Sequence, residues 1–394
     1  MPPRFIIEDA GTIRETRDDP NSPSRPRKRA RVDSVADGGG YEYTGTERPT
    51  EPCGPVHDDP VYFSNDADAE CVVRVGNTRF KVKGDLLADV SILFKDMLLR
   101  QRRLKRQPDG SMYPLVLVSI TLPEEFRALM WALNASEKEL LAQPIEHDEI
   151  DRLLSISSIS YQFDCPKLKT WANAALLRTF SAETSLLSSC SSALLTRALD
   201  VAIRTRQDDL IEATITRWCE RLKTGDTPCV PAIIAADIHE LQGLRGVAYY
   251  QHVQSMIARQ TTVTGRGATQ FTADARLSNA QVMRLLSGHW SLVSLWERTR
   301  KSAVNFACEC SGVKSLCADL WVQRWKCAVT SDRVNALSSG SILRLIALVG
   351  DILAADQRLK EEMSPGCRRN ALATVKTRAA EIEEGIADHF FGWL

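Results

Sequence analysis

Between Cys71 and Met97 the chain changes its hydrophobic period. "CVVRV" and "TRFKV" place apolar side chains at alternate positions on either side of Gly76-Asn77, which predicts two strands joined by a two-residue turn with glycine first. From Asp85 the apolar residues recur at spacings of three and four instead: Leu86, Leu87, Val90, Leu93, Phe94 and Met97. That is one face of a helix, and Asp85 stands where a capping carboxylate belongs. Leu86, Leu87, Val90 and Phe94 are the expected core or dimer-interface positions, with core packing the first reading. The hinge Lys83-Gly84-Asp85 is read as structural.

"LVLVSI" predicts a third strand, and "TLPEEFRALMWALN" a helix with Thr121 as cap, Pro123 in its first turn and Phe126, Leu129, Met130 and Leu133 on one face. Two amphipathic helices follow, "HDEIDRLLSISSISYQF" and "DCPKLKTWANAALLRTF". Beyond them no strand pattern occurs, and helices run through "SALLTRALDVAIRTR", "DLIEATITRWCERLK", "ELQGLRGVAYYQHVQSM" and "NAQVMRLLSGHW" to a last one opening at Ser364-Pro365. That helix carries Leu372, Val375, Ala379, Ile382, Ile386 and Phe390 at helical spacing, and its apolar tail "HFFGWL" is expected to dock on the body. No fixed period marks a repeat protein.

Residues 1–65 lack periodicity and are rich in charge, proline and glycine, the composition of a disordered arm. Within it "PRKRAR" offers Arg27, Lys28, Arg29 and Arg31, read as a nuclear-localisation signal. A second basic run, Arg100, Arg102, Arg103, Lys105 and Arg106, follows the first predicted helix. It has no interleaved aromatic for base stacking and reads as a solvated helix end and loop, with a partner-facing role as the alternative.

Across the 394 residues, 50 basic and 50 acidic side chains cancel, so no global field draws the molecule to nucleic acid or an anionic membrane. An apolar content of 44% supports real cores. The opening residues contain no apolar signal core, and the 11 cysteines are scattered and odd in number, which predicts a reducing compartment. The most apolar late stretch, "SILRLIALVGDILAAD", is broken by Arg344 and Asp351 and falls short of the ~20 residues of a membrane span.

Chemistry is thinly signalled. Gly265-Arg266-Gly267 lacks the remaining elements of a phosphate loop and reads as linker. The acids Asp148, Glu149 and Asp151 beside His147 suit the first turn of a helix on dipole grounds. Cys308-x-Cys310 with Cys317, Cys327 and upstream His289 is the best metal candidate. Zinc sites pair their ligands more regularly, and Cys310 and Cys317, seven apart near Trp321 and Trp325, read as small core residues on one helical face. None of the six histidines sits in a nucleophile or metalloprotease motif. The expectation is therefore a non-enzyme with no catalytic residues, no cofactor and no metal.

"CVVRVGNTRFKVKGDLLADVSILFKDML", with Phe80, Leu86-Leu87, Ser91, Phe94 and Met97, together with "LPEEFRALMWAL", with Phe126, Leu129 and Leu133, resembles the BTB/POZ family. "LRGVAYY" and "MSPGCRRNAL" are similar to the helical tails of the large BTB families of mushroom-forming fungi. The resemblance implies an α+β BTB/POZ domain over 66–180, helical hairpins over 181–260, a linker over 261–275 and an all-α C-terminal domain over 276–394. It implies a scaffold that self-associates as a homodimer and binds unidentified proteins; with the basic arm, the expectation is nuclear or transcription-related regulation, in the nucleus and also the cytoplasm. A substrate adaptor for a cullin-type ubiquitin ligase and a DNA-associated regulator are the alternatives. Glu70 and Lys83-Gly84 stand where animal BTB transcription factors carry Asp and His-Lys, and "LLRQRRLKRQ" puts arginines where cullin adaptors carry a glutamate, so a cullin contact has little charge support. Direct nucleic-acid binding is not expected.

Overall fold

A small mixed sheet starts the fold and helices complete it. The computed structural model describes residues 54–64, 69–103, 113–117, 122–142, 147–182, 189–259, 274–310 and 314–391. All lie in the second of the chain's two units, Met1–Thr50 and Glu51–Leu394. The arginine-rich cluster at 27–31, Lys105, Arg106, Thr121 and the Gly265 to Gly267 segment fall outside the described residues.

The strands are β1 (His57–Phe63), β2 (Cys71–Val75), β3 (Thr78–Val82) and β4 (Leu115–Leu117), in the order β1-β3-β2-β4. β2 and β3 form the expected antiparallel hairpin, and β4 lies parallel to β2. Gly76 takes φ +59° while Asn77 keeps a negative φ, the signature of a turn in which glycine alone must go left-handed. β1 corrects the boundary drawn at residue 65: residues 57–63 are an edge strand, parallel to β3. Its proline and acids argue against a strand by propensity, yet an edge tolerates the missing N–H of Pro60.

The helix expected from Asp85 is two helices, α1 (Gly84–Val90) and α2 (Ile92–Arg103). Ser91 between them is extended; its hydroxyl donates to the Phe163 carbonyl and accepts from the Phe94 N–H at 3.2 Å. Lys83, not Asp85, occupies the cap position, and Asp85 lies exposed in the first turn, 3.8 Å from Arg102. α3 (Pro123–Asn134) starts at Leu122, whose N–H is held by Glu125 at 3.1 Å, and α4 (Glu137–Leu141) is a single capped turn. Leu87 and Phe94 are fully buried with Val73, Phe80, Phe126 and Leu129. Phe80 meets Phe126 at 4.7 Å between ring centroids, and Phe94 stacks on Phe163 at 4.5 Å. Val90 packs at the margin of this core, and Leu86 is only half-buried.

α5 (His147–Gln162) departs from its amphipathic reading, because Ser155, Ser157, Ser158 and Ser160 are buried along with Ile150, Leu154, Ile156 and Ile159. A helix buried nearly all round lies inside the fold rather than on it. Ile159 faces the sheet core, while Ile150, Leu153 and Leu154 enter a second core that continues to Phe390. Three of the serines find partners from neighbouring helices: Ser157 with Asn173 at 2.6 Å, Ser155 with Arg197 at 2.6 Å and Ser158 with Arg204 at 3.1 Å, while the Ser160 hydroxyl has none among the described residues.

The second core is built by α6 (Pro166–Ser181), α7 (Ser192–Arg204), α8 (Asp208–Thr224), α9 (Cys229–Ile238), α10 (Gln242–Ala258), α11 (Asn279–Lys301), α12 (Lys314–Val329), α13 (Asp332–Asn335), α14 (Ile342–Ala355), α15 (Gln357–Glu362), α16 (Pro365–Glu384) and α17 (Asp388–Phe391). No strand occurs among the described residues after Leu117, as expected. The core runs without a break from α5 to α17, so the divisions drawn near residues 181 and 276 do not separate cores. α5, α7, α8 and α9 end on the same device: a left-handed residue (Asp164, Arg206, Gly225, Glu240) followed by an N–H that reaches back five residues, at 2.8 to 3.0 Å.

The tail docks. Phe390 lies over Gly288, where any β-carbon would run into its ring, and both Phe390 and Phe391 pack on Tyr249. His389 meets Ser291 at 2.8 Å. Beneath this contact, the nearly buried Asp237 carboxylate accepts from Arg245 at 3.1 Å, Tyr249 at 2.8 Å, Gln281 at 2.9 Å and Arg284 at 3.3 Å. Arg245 and Arg284 in turn lie over the Phe391 ring at 4.7 and 5.1 Å. Asp237→Ala leaves two guanidinium groups and two further donors without their acceptor. Urea denaturation of the full chain is expected to show a loss of about 3–5 kcal/mol, the cost of breaking a buried pair from one side.

Candidate functional site

Two surfaces collect chemistry that the cores do not use. The first is the outer face of α2. Phe94, Leu98 and Gln101 point inward, and on the helical wheel Ile92 and Leu99 fall on the opposite side. Ile92 is 75% exposed, Leu99 45% and Leu93 39%. Lys95 and Asp96, both exposed, flank this stripe on opposite sides at its midpoint. Tyr113 and Val116 are exposed on and beside the neighbouring edge strand β4. Leu87 and Phe94 belong to the core, as the first reading has them, and the exposed apolar side chains of α2 are Ile92, Leu93 and Leu99.

The arginines Arg100, Arg102 and Arg103 close α2 and are exposed, as a solvated helix end requires. Positive charge there suits the negative end of the helix dipole. Asp151, just past the acidic first turn of α5, pairs with Arg197 at 2.9 Å and so ties α5 to α7.

The second surface is a group of four thiols. Cys308 and Cys310 sit two apart on a non-helical strap after α11, Cys317 lies in the first turn of α12, and Cys367 lies in the first turn of α16. All four sulfurs are within 4.8 Å of one another. Cys308 and Cys310 each stand 3.4 Å from Cys367, Cys310 stands 3.7 Å from Cys317, and none is in a disulfide. Cys317 and Cys367 are buried, while Cys308 and Cys310 are half-buried.

Local structure fixes each thiol. Ser364 caps α16 by accepting from the Cys367 N–H at 3.3 Å, and the Cys310 thiol donates to the same hydroxyl at 3.3 Å. Asn370, one turn into α16, donates to Ala307 at 3.3 Å and to Glu309 at 2.8 Å, which clamps the strap to the helix. The Glu309 N–H points at the Cys367 sulfur from 3.4 Å. The hydrogen bond with Ser364, the Glu309 N–H and the two neighbouring thiols hold Cys367 below the ordinary thiol range against the effect of burial. On the other side, Trp321 donates to the Val304 carbonyl at 2.9 Å and meets Phe306 edge-on at 5.9 Å, seating the strap on α12.

This arrangement corrects the reading of Cys310 and Cys317 as neighbours on one helix face, since Cys310 is not helical. It also changes the candidate set. Cys327 is exposed further along α12, beside Arg324 at 3.8 Å, and His289 packs near Gly340, so neither joins the group. Cys367 takes the fourth place. The tight Cys308-x-Cys310 pair is the plainest signal of the group in the sequence; the helix cap Ser364-Pro365, placed just ahead of a further cysteine, is the fainter one that points to its last member.

Asp59 anchors β1, the sheet edge opposite β4. It accepts from Val61 at 3.0 Å, Tyr62 at 2.8 Å and, across the fold, Arg127 of α3 at 2.6 Å. Burial alone would raise its carboxyl, but these donors outweigh it and hold it below the ordinary carboxylate value. The stabilisation is therefore present above the unfolded value of about 3.9 and is lost as pH falls through the lower folded one. Asp59→Asn is expected to remove that acid dependence and to speed amide exchange across residues 57–63 at neutral pH, with α3 unchanged. Comparison with protein-family models, curated proteins and solved structures gives no match to this chain.

Proposed function

We propose that the chain is a non-catalytic interaction scaffold whose α/β part is a BTB/POZ-like module that associates with a second copy, in nuclear regulation. The observation that carries this reading is the pair Ile92 and Leu99 on the outer face of α2, with Leu93 exposed beyond Asp96. Three large aliphatic side chains held in water on a rigid helix have a favourable free energy of burial, about 25 cal/mol for each Å² removed from solvent. A second copy suits the surface because the two charges at the middle of the stripe, Lys95 and Asp96, complement themselves. A two-fold axis running along the helix sets Lys95 of one copy beside Asp96 of the other, and the reverse, as a self-complementary interface requires. The module reading rests on the family resemblance of residues 71–98 and 122–133. The nuclear part of the proposal rests on Arg27, Lys28, Arg29 and Arg31.

Light scattering after gel filtration of the full chain tests the association. The expected mass is twice the 43.9 kDa of one chain. Ile92→Asp combined with Leu99→Asp is expected to halve the mass while leaving circular dichroism unchanged, because both positions face away from the core. A wild-type chain that stays monomeric at tens of micromolar overturns self-association. Leu87 is unsuited to this test, since a charge there would break the core itself.

A further inference from the structure

We infer that Cys308, Cys310, Cys317 and Cys367 form a structural zinc site, a tetrathiolate that joins the strap after α11 to the first turns of α12 and α16. A tetrahedral centre with zinc–sulfur bonds of about 2.3 Å has sulfur–sulfur edges of about 3.8 Å. The close pairs here stand at 3.4, 3.4 and 3.7 Å, and no pair of the four exceeds 4.8 Å. Four soft sulfur ligands in this shape select zinc or iron over the hard cations, and zinc is the usual occupant of a closed structural site.

Three further features separate this group from four cysteines that happen to share a core. Cys308 and Cys310 are half-buried on a strap without regular structure, a position where small apolar filling gains little. Their sulfurs nonetheless converge on those of two buried cysteines from helices far apart in sequence. The Glu309 N–H is aimed at a sulfur, and two helix starts, those of α12 and α16, present their positive ends to the group. Both supply what a tetrathiolate with a net charge of −2 needs.

On binding, each thiol gives up its proton to solvent and its sulfur forms one bond to the metal. Four protons leave for one Zn²⁺, and nothing is oxidised or reduced. No position remains for water or substrate, so the role is to fix structure. The site closes the chain from the end of α11 through α12 to α16, a span held besides by packing, the Trp321–Val304 hydrogen bond, the Arg324–Asp356 ion pair and the Asn370 clamp.

The test uses the full chain, purified under reducing conditions and dialysed, with metal measured by plasma mass spectrometry. One zinc per chain is expected. After the zinc is removed with a chelator, Co²⁺ is expected to restore a tetrahedral tetrathiolate spectrum, with strong thiolate-to-metal charge transfer. Alkylation of the zinc-loaded protein should mark Cys327 rapidly and spare the four, and chelation should open them to labelling. Cys317→Ser and Cys367→Ser should each lose the zinc, whereas Cys327→Ser keeps it. Should the serine variants fail to fold, the cobalt spectrum and the alkylation pattern of the wild-type chain still decide. A folded wild-type chain that carries no zinc and gives no charge transfer with Co²⁺ overturns the site. Iron in place of zinc, or loss of zinc from Cys327→Ser equal to that from Cys317→Ser, overturns the assignment as well.

Discussion

The carboxylate of Asp237 is the point on which the helical body turns. A buried charge must be paired and its lone pairs filled, or the fold cannot keep it. Here a single residue at the end of α9 takes donors from α10 and α11, and the two arginines it holds become the floor on which Phe391 lies. Three helices and the end of α17 therefore share one electrostatic knot. Around it the apolar packing of Tyr249, Phe390 and Leu292 can be close without the angle between α10 and α11 being set by shape alone.

α5 links that body to the sheet. Because it is buried nearly all round, the α/β part and the helical body are not beads on a string: they use opposite faces of one helix. Small serine side chains let both sets of neighbours approach closely, and arginines from α7 reach across to satisfy two of them. A partner that bends α2 or β4 would press on a core whose far side is α5. The body, in turn, stiffens the module, so an interface on the module starts with little flexibility to lose.

The parts of this fold that follow local periodicity can be read directly from the chain. The hairpin at Gly76-Asn77, the helices after residue 180, the Ser364 cap and the docking of Phe390 need only spacing and capping rules. Four features depend on what lies far away in the chain. β1 is a strand because β3 offers it an edge and Arg127 neutralises Asp59, against the local propensity set by Pro60. The break at Ser91 exists because the Phe163 carbonyl, more than seventy residues later, accepts its hydroxyl. The serine face of α5 counts as polar by composition and is buried by context. Cys367 lies 57 residues after Cys310, and only the folding of α16 onto the strap brings the two together. The exposure of Ile92 and Leu99 is likewise hidden, since a helical repeat does not say which of two apolar stripes turns inward.

The seat of Phe390 over Gly288 and against Tyr249 has a consequence for the order of events during synthesis. The notch is made by α10 and α11, which leave the ribosome well over a hundred residues' worth of elongation later than the hairpin and long before the ring that fills the notch. During that interval Tyr249 and the bare helix surface at Gly288 face solvent, or whatever chaperone is at hand. Contacts of such long sequence separation also form late once the whole chain is free, because loop-closure entropy must be met before they stabilise anything. Phe390 and Phe391 thus act as a latch on a notch that is made well before them, and replacing both by small residues would leave that groove permanently sticky.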